Sequence, residues 1–196
     1  MIGASYDDRK EEEMVSLVSL WLPILVSAVA VFLLSSLVWM ALPWHKQDFR
    51  PLPDEEAARA ALGGAAPGAY TVPHMADRKM LEDPAYRKKL EEGPVGFLTI
   101  LPNGRPGMGG TMVQWFVWTL VVSATVAYVV SRTIPHGVGF VLVFQVGSTV
   151  AWLAYSWSVV QEGIWMGRPW SHVVKQLVDG LIYGLATGAI FGWLYP

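Results

Sequence analysis

Five side chains between residues 172 and 183 carry most of the chemistry this chain offers. His172, Lys175, Gln176, Asp179 and Tyr183 recur at steps of three and four, so a helix gathers them in one sector. They lead into Gly180, Gly184, Gly188 and Gly192 within a stretch of membrane length. An ionised aspartate near mid-bilayer costs roughly 2.5–3.5 kcal/mol on insertion scales, so Asp179 must face other helices and find a partner. Lys175, a tyrosine hydroxyl or water are the choices; Lys175 can instead snorkel to the interface. Two readings follow: a proton or ion relay through His172, Asp179 and Tyr183, or a polar cluster that fixes helix register. The group fills only the first half of its helix and few charges in the other helices match it, which favours register.

A second polar string runs from Leu42 to Glu55. Within it Trp44, His45, Lys46 and Arg50 read as an interfacial turn, with the indole at headgroup level and the two bases on lipid phosphates. A metal site needs three or four converging ligands, whereas this string offers one histidine and scattered acids, so no metal and no cofactor are expected. His74 and His136 are loop histidines next to proline. The absence of cysteine removes thiolate chemistry. Gly104 to Gly109 lacks the strand, lysine and serine of a phosphate-binding loop. No nucleophile motif appears either, and the expectation is a protein that is not an enzyme. The net charge is −2 with bases interleaved among acids, which argues against nucleic acid.

The elements that must hold these groups are membrane helices. In 196 residues, 53% are hydrophobic and 15% charged, too apolar for an ordinary soluble domain. Four stretches, 16–42, 112–132, 139–161 and 173–194, reach the roughly 20 residues that cross a bilayer. An acidic tail, 1–15, precedes the first, which lacks a basic n-region and a cleavage site and is read as a retained span. Trp21, Trp39, Trp115, Trp165, Trp170 and Trp193 fall near span ends, as an aromatic belt does. Between the first two spans lies an extramembrane segment, 43–111. Its caps and breakers predict helices over 57–62 and 86–92, and strands over 69–72 and 95–101 that can pair with each other. With too few apolar residues for its own core, it is expected to rest on the membrane face of the helices, and residues 107–110 to be a flexible lead-in. The fold class is thus an all-α membrane protein of four spans with a small α/β-containing segment outside.

The glycine row predicts close packing of the glycine-zipper kind, because interior glycines cost roughly 0.5–1 kcal/mol each unless another backbone approaches. Facing surfaces are available on the second span at Ser123 and Ala127 and on the third at Gly147 and Ala151. A helix from another copy or another subunit is the alternative occupant. Lysine and arginine are concentrated around segment 43–111 and the connection near Arg168 and Lys175, which places that side in the cytoplasm and both termini outside.

Leu-Pro-Trp-His-Lys at the end of the first span, Leu-Pro-Asp-Glu at 52–55, Gly-Ala-Tyr-Thr-Val-Pro at 68–73, Val-Gln-Trp-Phe at 113–116 and the terminal Gly-Trp-Leu-Tyr-Pro resemble a group of uncharacterised small bacterial integral membrane proteins. The resemblance covers most of the chain and implies a bacterial inner-membrane location without an activity. Taken together, the expectation is a non-catalytic accessory or assembly subunit that meets a protein partner or its own copies through membrane helices. The alternative is a small proton, ion or solute transporter or channel that uses the polar face of the fourth span.

Overall fold

The computed structural model describes residues 14–104 and 107–196. Most of the acidic tail, and residues 105 and 106 in the segment between the first two spans, lie outside the described residues. In chain order the elements are α1 (Trp21–Ser36), α2 (Glu55–Leu62), β1 (Gly68–Val72), α3 (Pro84–Glu92), β2 (Gly96–Ile100), α4 (Met108–Thr133), α5 (Phe140–Ser156), α6 (Ser158–Trp165) and α7 (Trp170–Leu194). A tight turn at Leu17–Leu20 and a wider π-turn at Leu37–Ala41 extend α1 into the first span. α4 is the second span, α5 with α6 the third and α7 the fourth. All four are long and apolar enough to cross a membrane, which makes this a multi-pass membrane protein whose outward residues, Leu33, Val117, Val141 and Leu181 among them, meet lipid.

The second, third and fourth spans run longer than composition suggests, and the first is shorter by one residue at each end. Residues 108–110 form the first turn of α4 and are not a loose lead-in, since Gly109 and Gly110 meet no neighbour that would prevent helix. α7 opens at Trp170, directly after Pro169, because proline fixes a suitable φ at a helix start.

The spans form a ring in which the first touches the second and fourth, and the third touches the fourth and second. One contact dominates. The four-spaced glycines of α7 lie along a four-spaced row on α5: Gly192 at Phe140, Gly188 at Phe144 and Ser148, Gly184 at Ser148 and Trp152, Gly180 at Ser156. A Cβ on Gly188 would stand 2.6 Å from the carbonyl oxygen of Phe144, and one on Gly147 would stand 3.3 Å from the Cα of Gly188. Backbones this close gain dispersion that lipid cannot supply. The indole of Trp152 adds a bond to the carbonyl of Leu177 at 2.9 Å. The groove is therefore filled from within the chain. Ala151 is fully buried among Val122, Val126, Val143 and Phe191. Ser123 does not face α7; its hydroxyl pairs with that of Ser27 on α1 at 3.0 Å, and Ala127 is buried on the same helix.

At one end of the bundle Met14 bridges to Pro135 and the Tyr195 hydroxyl donates to the carbonyl of Ile134 at 2.6 Å. The segment between spans leaves from the other end. Asp54 caps α2 through the N–H of Ala57, and Asp83 caps α3 through that of Ala85. β1 and β2 pair antiparallel, with Tyr70 opposite Leu98 and Thr71 opposite Phe97. The expectation that this segment lies against the helices is met only at its start, where His45 and Asp48 bond to α7; the two strands contact mainly each other, and most of their residues stay exposed.

Glycine positions separate by what they meet. Gly188→Ala should lower the melting temperature of the detergent-solubilised protein, and Gly188→Leu more so, by roughly 1–3 kcal/mol of overpacking. Gly109→Ala, with open space around it, should be neutral or raise stability by about 0.5–1 kcal/mol. Equal melts for all three would remove the close-packing account.

Candidate functional site

The polar groups of α7 meet partners from a part of the chain that helical periodicity does not reach. Pro43 cannot continue the helix that ends at Ala41, and it forces Leu42 into extended backbone. A short turn, Pro43–His45, then folds the chain back over the start of α7. His45 and Asp48 are carried inward by this reversal. Trp44, Lys46 and Arg50 remain exposed, as an interfacial turn requires, but His45 does not belong with them: it is only 7% exposed.

His45 is the centre of the arrangement. Its Nδ1 lies 2.6 Å from Asp48 Oδ2 and its Nε2 lies 2.9 Å from Asp179 Oδ2. Each ring nitrogen thus faces a carboxylate oxygen within hydrogen-bond distance. The indole of Trp39 stacks on the ring with centroids 3.8 Å apart and planes 6° from parallel. Asp48 collects more donors: Lys175 Nζ donates to Oδ1 at 2.5 Å and His172 Nδ1 to Oδ2 at 3.1 Å. Gln176 Nε2 donates to His172 Nε2 at 3.0 Å, which fixes the tautomer that sends the single ring proton toward Asp48.

Burial pushes the Asp48 carboxyl up, but the hydrogen bonds from Lys175, His45 and His172 outweigh it and hold the group well below the usual carboxylate range. Within the cluster Asp48 takes the ion pair with Lys175 and meets both histidines, while Asp179 meets His45 alone.

Three expectations change. Lys175 pairs with Asp48 and not with Asp179. His172 is linked to Asp179 only through Asp48 and His45, so the order is His172, Asp48, His45, Asp179. Tyr183, expected as the next member, is buried on the same face, yet its hydroxyl has no partner among the described residues. Asp48 was absent from the sequence candidates; its spacing of three from His45 is the one signal that marks it. All four ring nitrogens of His45 and His172 are engaged in hydrogen bonds within the cluster.

Beside the cluster is a half-open cavity of about 400 Å³ between the loop-side ends of the spans. Trp39, Trp115, Tyr155, Tyr183, Met40 and Met112 form its walls, and Asp179 and Gln176 reach it from α7. The indole of Trp115 donates to Ser35 at 2.7 Å, which anchors the second span to the first at this level. Asp179 Oδ1 and the hydroxyls of Tyr155 and Tyr183 have no hydrogen-bond partner among the described residues. The side chains of Trp44 and Trp39 approach Asp179 and Tyr183 without hydrogen-bonding geometry.

No protein-family model matches the chain, and neither a search of curated proteins nor one of solved structures gives a match.

The network makes stability depend on Asp48. Its folded value lies below the ordinary 3.8, so the stabilisation is complete above about pH 4 and is lost as pH falls below it. Asp48→Asn leaves Lys175 without its carboxylate and weakens the bonds to both histidines, and it should cost roughly 3–5 kcal/mol. It should also flatten the acid limb of melting temperature against pH. A variant as stable as wild type, with the same acid limb, would contradict the network.

Proposed function

We propose that this chain is a non-catalytic accessory or assembly subunit of a bacterial inner-membrane complex. The observation that carries this reading is the hairpin. A two-stranded sheet is marginal alone in water, and here Phe97 is 54% and Leu101 65% exposed, with Val95 and Tyr70 also uncovered. An ordered hairpin that shows apolar side chains outside the bilayer fits a surface that another protein covers. The glycine row is not the partner surface in this reading, because α5 already fills it. The bacterial assignment comes from the resemblance of the Leu-Pro-Trp-His-Lys and Leu-Pro-Asp-Glu strings, and the sidedness from the lysine and arginine distribution.

A second reading, a small proton, ion or solute transporter or channel, has the unpartnered Oδ1 of Asp179 in its favour. Against it, the described ionisable groups along α7 end at Asp179 and Tyr183, and the remainder is Thr187, glycine and apolar side chains.

Purification of the full chain from native membranes in mild detergent tests the first reading. A partner should co-purify in fixed stoichiometry with wild type and be lost from a Phe97→Asp, Leu101→Asp double variant that still reaches the membrane at wild-type level. Isolation of the chain alone or only as a homo-oligomer would reject the subunit reading. Flux of protons or cations through wild type in proteoliposomes, abolished in a folded Asp179→Asn variant, would put the transporter first. For sidedness, Ala60→Cys should be labelled by an impermeant thiol reagent only after the cytoplasmic face is opened, and Pro196→Cys in intact cells.

A further inference from the structure

The cavity beside Asp179 is walled like a ligand site and has polar groups without protein partners. Its volume falls in the range of small-molecule pockets. Indole, phenol and thioether side chains form its sides, which suits a planar ring. Asp179 and Tyr183, each 4% exposed, line it together with Tyr155, and Asp179 Oδ1 and both phenol hydroxyls lack a hydrogen-bond partner among the described residues. Buried polar atoms of this kind call for a complementary group from outside the chain.

The chemistry of that group can be deduced. Asp179 Oδ1 only accepts, so the ligand must donate there; the phenol hydroxyls can donate, so the ligand must also present an acceptor. A charged ligand would bring its charge into a site walled by apolar side chains and bounded by lipid, a cost that a neutral ligand avoids. The ligand is therefore neutral. Exposed Met40 and Thr111 form the rim, at the loop-side ends of the first two spans, which leaves a route by which an apolar tail reaches the bilayer.

We infer that this cavity binds the ring of a lipid-soluble aromatic diol of the quinol type, one hydroxyl donating to Asp179 Oδ1 and a ring oxygen accepting from Tyr183 or Tyr155. The oxidised quinone offers acceptors only, so the site favours the reduced form. Organic cations, which aromatic walls also attract, are disfavoured by the cost of a charge in this apolar surrounding. The assignment concerns binding alone and holds for the isolated chain whether or not the hairpin carries a partner.

Isothermal titration of the full chain in zwitterionic nanodiscs under argon provides the test, with decylubiquinol as probe and protein-free nanodiscs subtracted. One saturable site per chain is expected, with affinity for the quinol about tenfold or more above that for decylubiquinone and for the quinol dimethyl ether, which lacks donors. Tyr183→Phe removes an unpartnered hydroxyl at constant shape, so it should fold and weaken quinol binding severalfold. Asp179→Asn should lose about tenfold and most of the preference for the reduced form. Tyr128→Phe, on the exposed side of α4, should match wild type. Where Asp179→Asn does not fold, the Tyr183→Phe comparison decides. Heat that never saturates, equal affinity for quinol and its dimethyl ether, binding unchanged by Tyr183→Phe, or tighter binding of the lipophilic cation tetraphenylphosphonium would each overturn the inference.

Discussion

The double hydrogen bond of His45 to Asp48 and Asp179 is the constraint on which the loop-side end of the molecule depends. Carboxylates in an apolar bundle are tolerated only when their charge is matched and their lone pairs are used. Here one imidazole ring serves two of them at 2.6 and 2.9 Å. To deliver that ring, the first span must end at Ala41 and the chain must reverse at Leu42–Pro43. Trp39 then lies flat on the ring, and Lys175 reaches Asp48 from the other side. Loss of Asp48 would leave Lys175 without its counterpart and both histidines without a shared acceptor, so the segment after the first span and the opening turns of α7 act as a unit.

The opposite half of the bundle is held by a different kind of force. There the third and fourth spans meet backbone to backbone, with glycine on one side and the Phe140, Phe144, Ser148, Trp152, Ser156 row on the other. No charge is buried in that contact. Its strength comes from many small dispersion terms and from the absence of side-chain entropy to lose at glycine. The two halves therefore divide the work: electrostatic pairing fixes how the connecting segment docks, and close packing fixes how the spans lean on one another.

How far each was legible in the sequence follows from this division. The glycines of α7 sit at one register of one helix, and a period of 3.6 reports same-helix neighbours directly. Four spans, the two short helices with their Asp54 and Asp83 caps, and two strands able to pair could likewise be read from local signals. Which helix fills the glycine groove could not, since the facing row on α5 mixes Phe, Trp and Ser and is invisible to a search for small residues. The candidate site was half legible. His172, Lys175, Gln176 and Asp179 share a face and were visible together. His45 and Asp48 lie 134 and 124 residues from their α7 partners, Asp179 and His172, and arrive by a chain reversal that no periodicity records. A lone histidine beside tryptophan and bases looks like an interfacial anchor until the turn at Pro43 carries it inward.

The division also limits what the polar face of α7 can do. A path for protons or ions across the bilayer would have to pass Thr187 and Gly188, where the hydroxyl of Thr187 is spent on the carbonyl of Tyr183 at 2.9 Å. A methyl on Gly188 would already collide with backbone of α5 there, which leaves no width for a column of water between the two helices. Conduction along this face would require the third and fourth spans to separate, with loss of the contact that unites them. A site confined to the loop end needs no such movement: Asp179 and Tyr183 open to a cavity bordered by lipid-level side chains, on the near side of the glycine contact. The arrangement thus suits holding a molecule at one face of the membrane better than passing one through it.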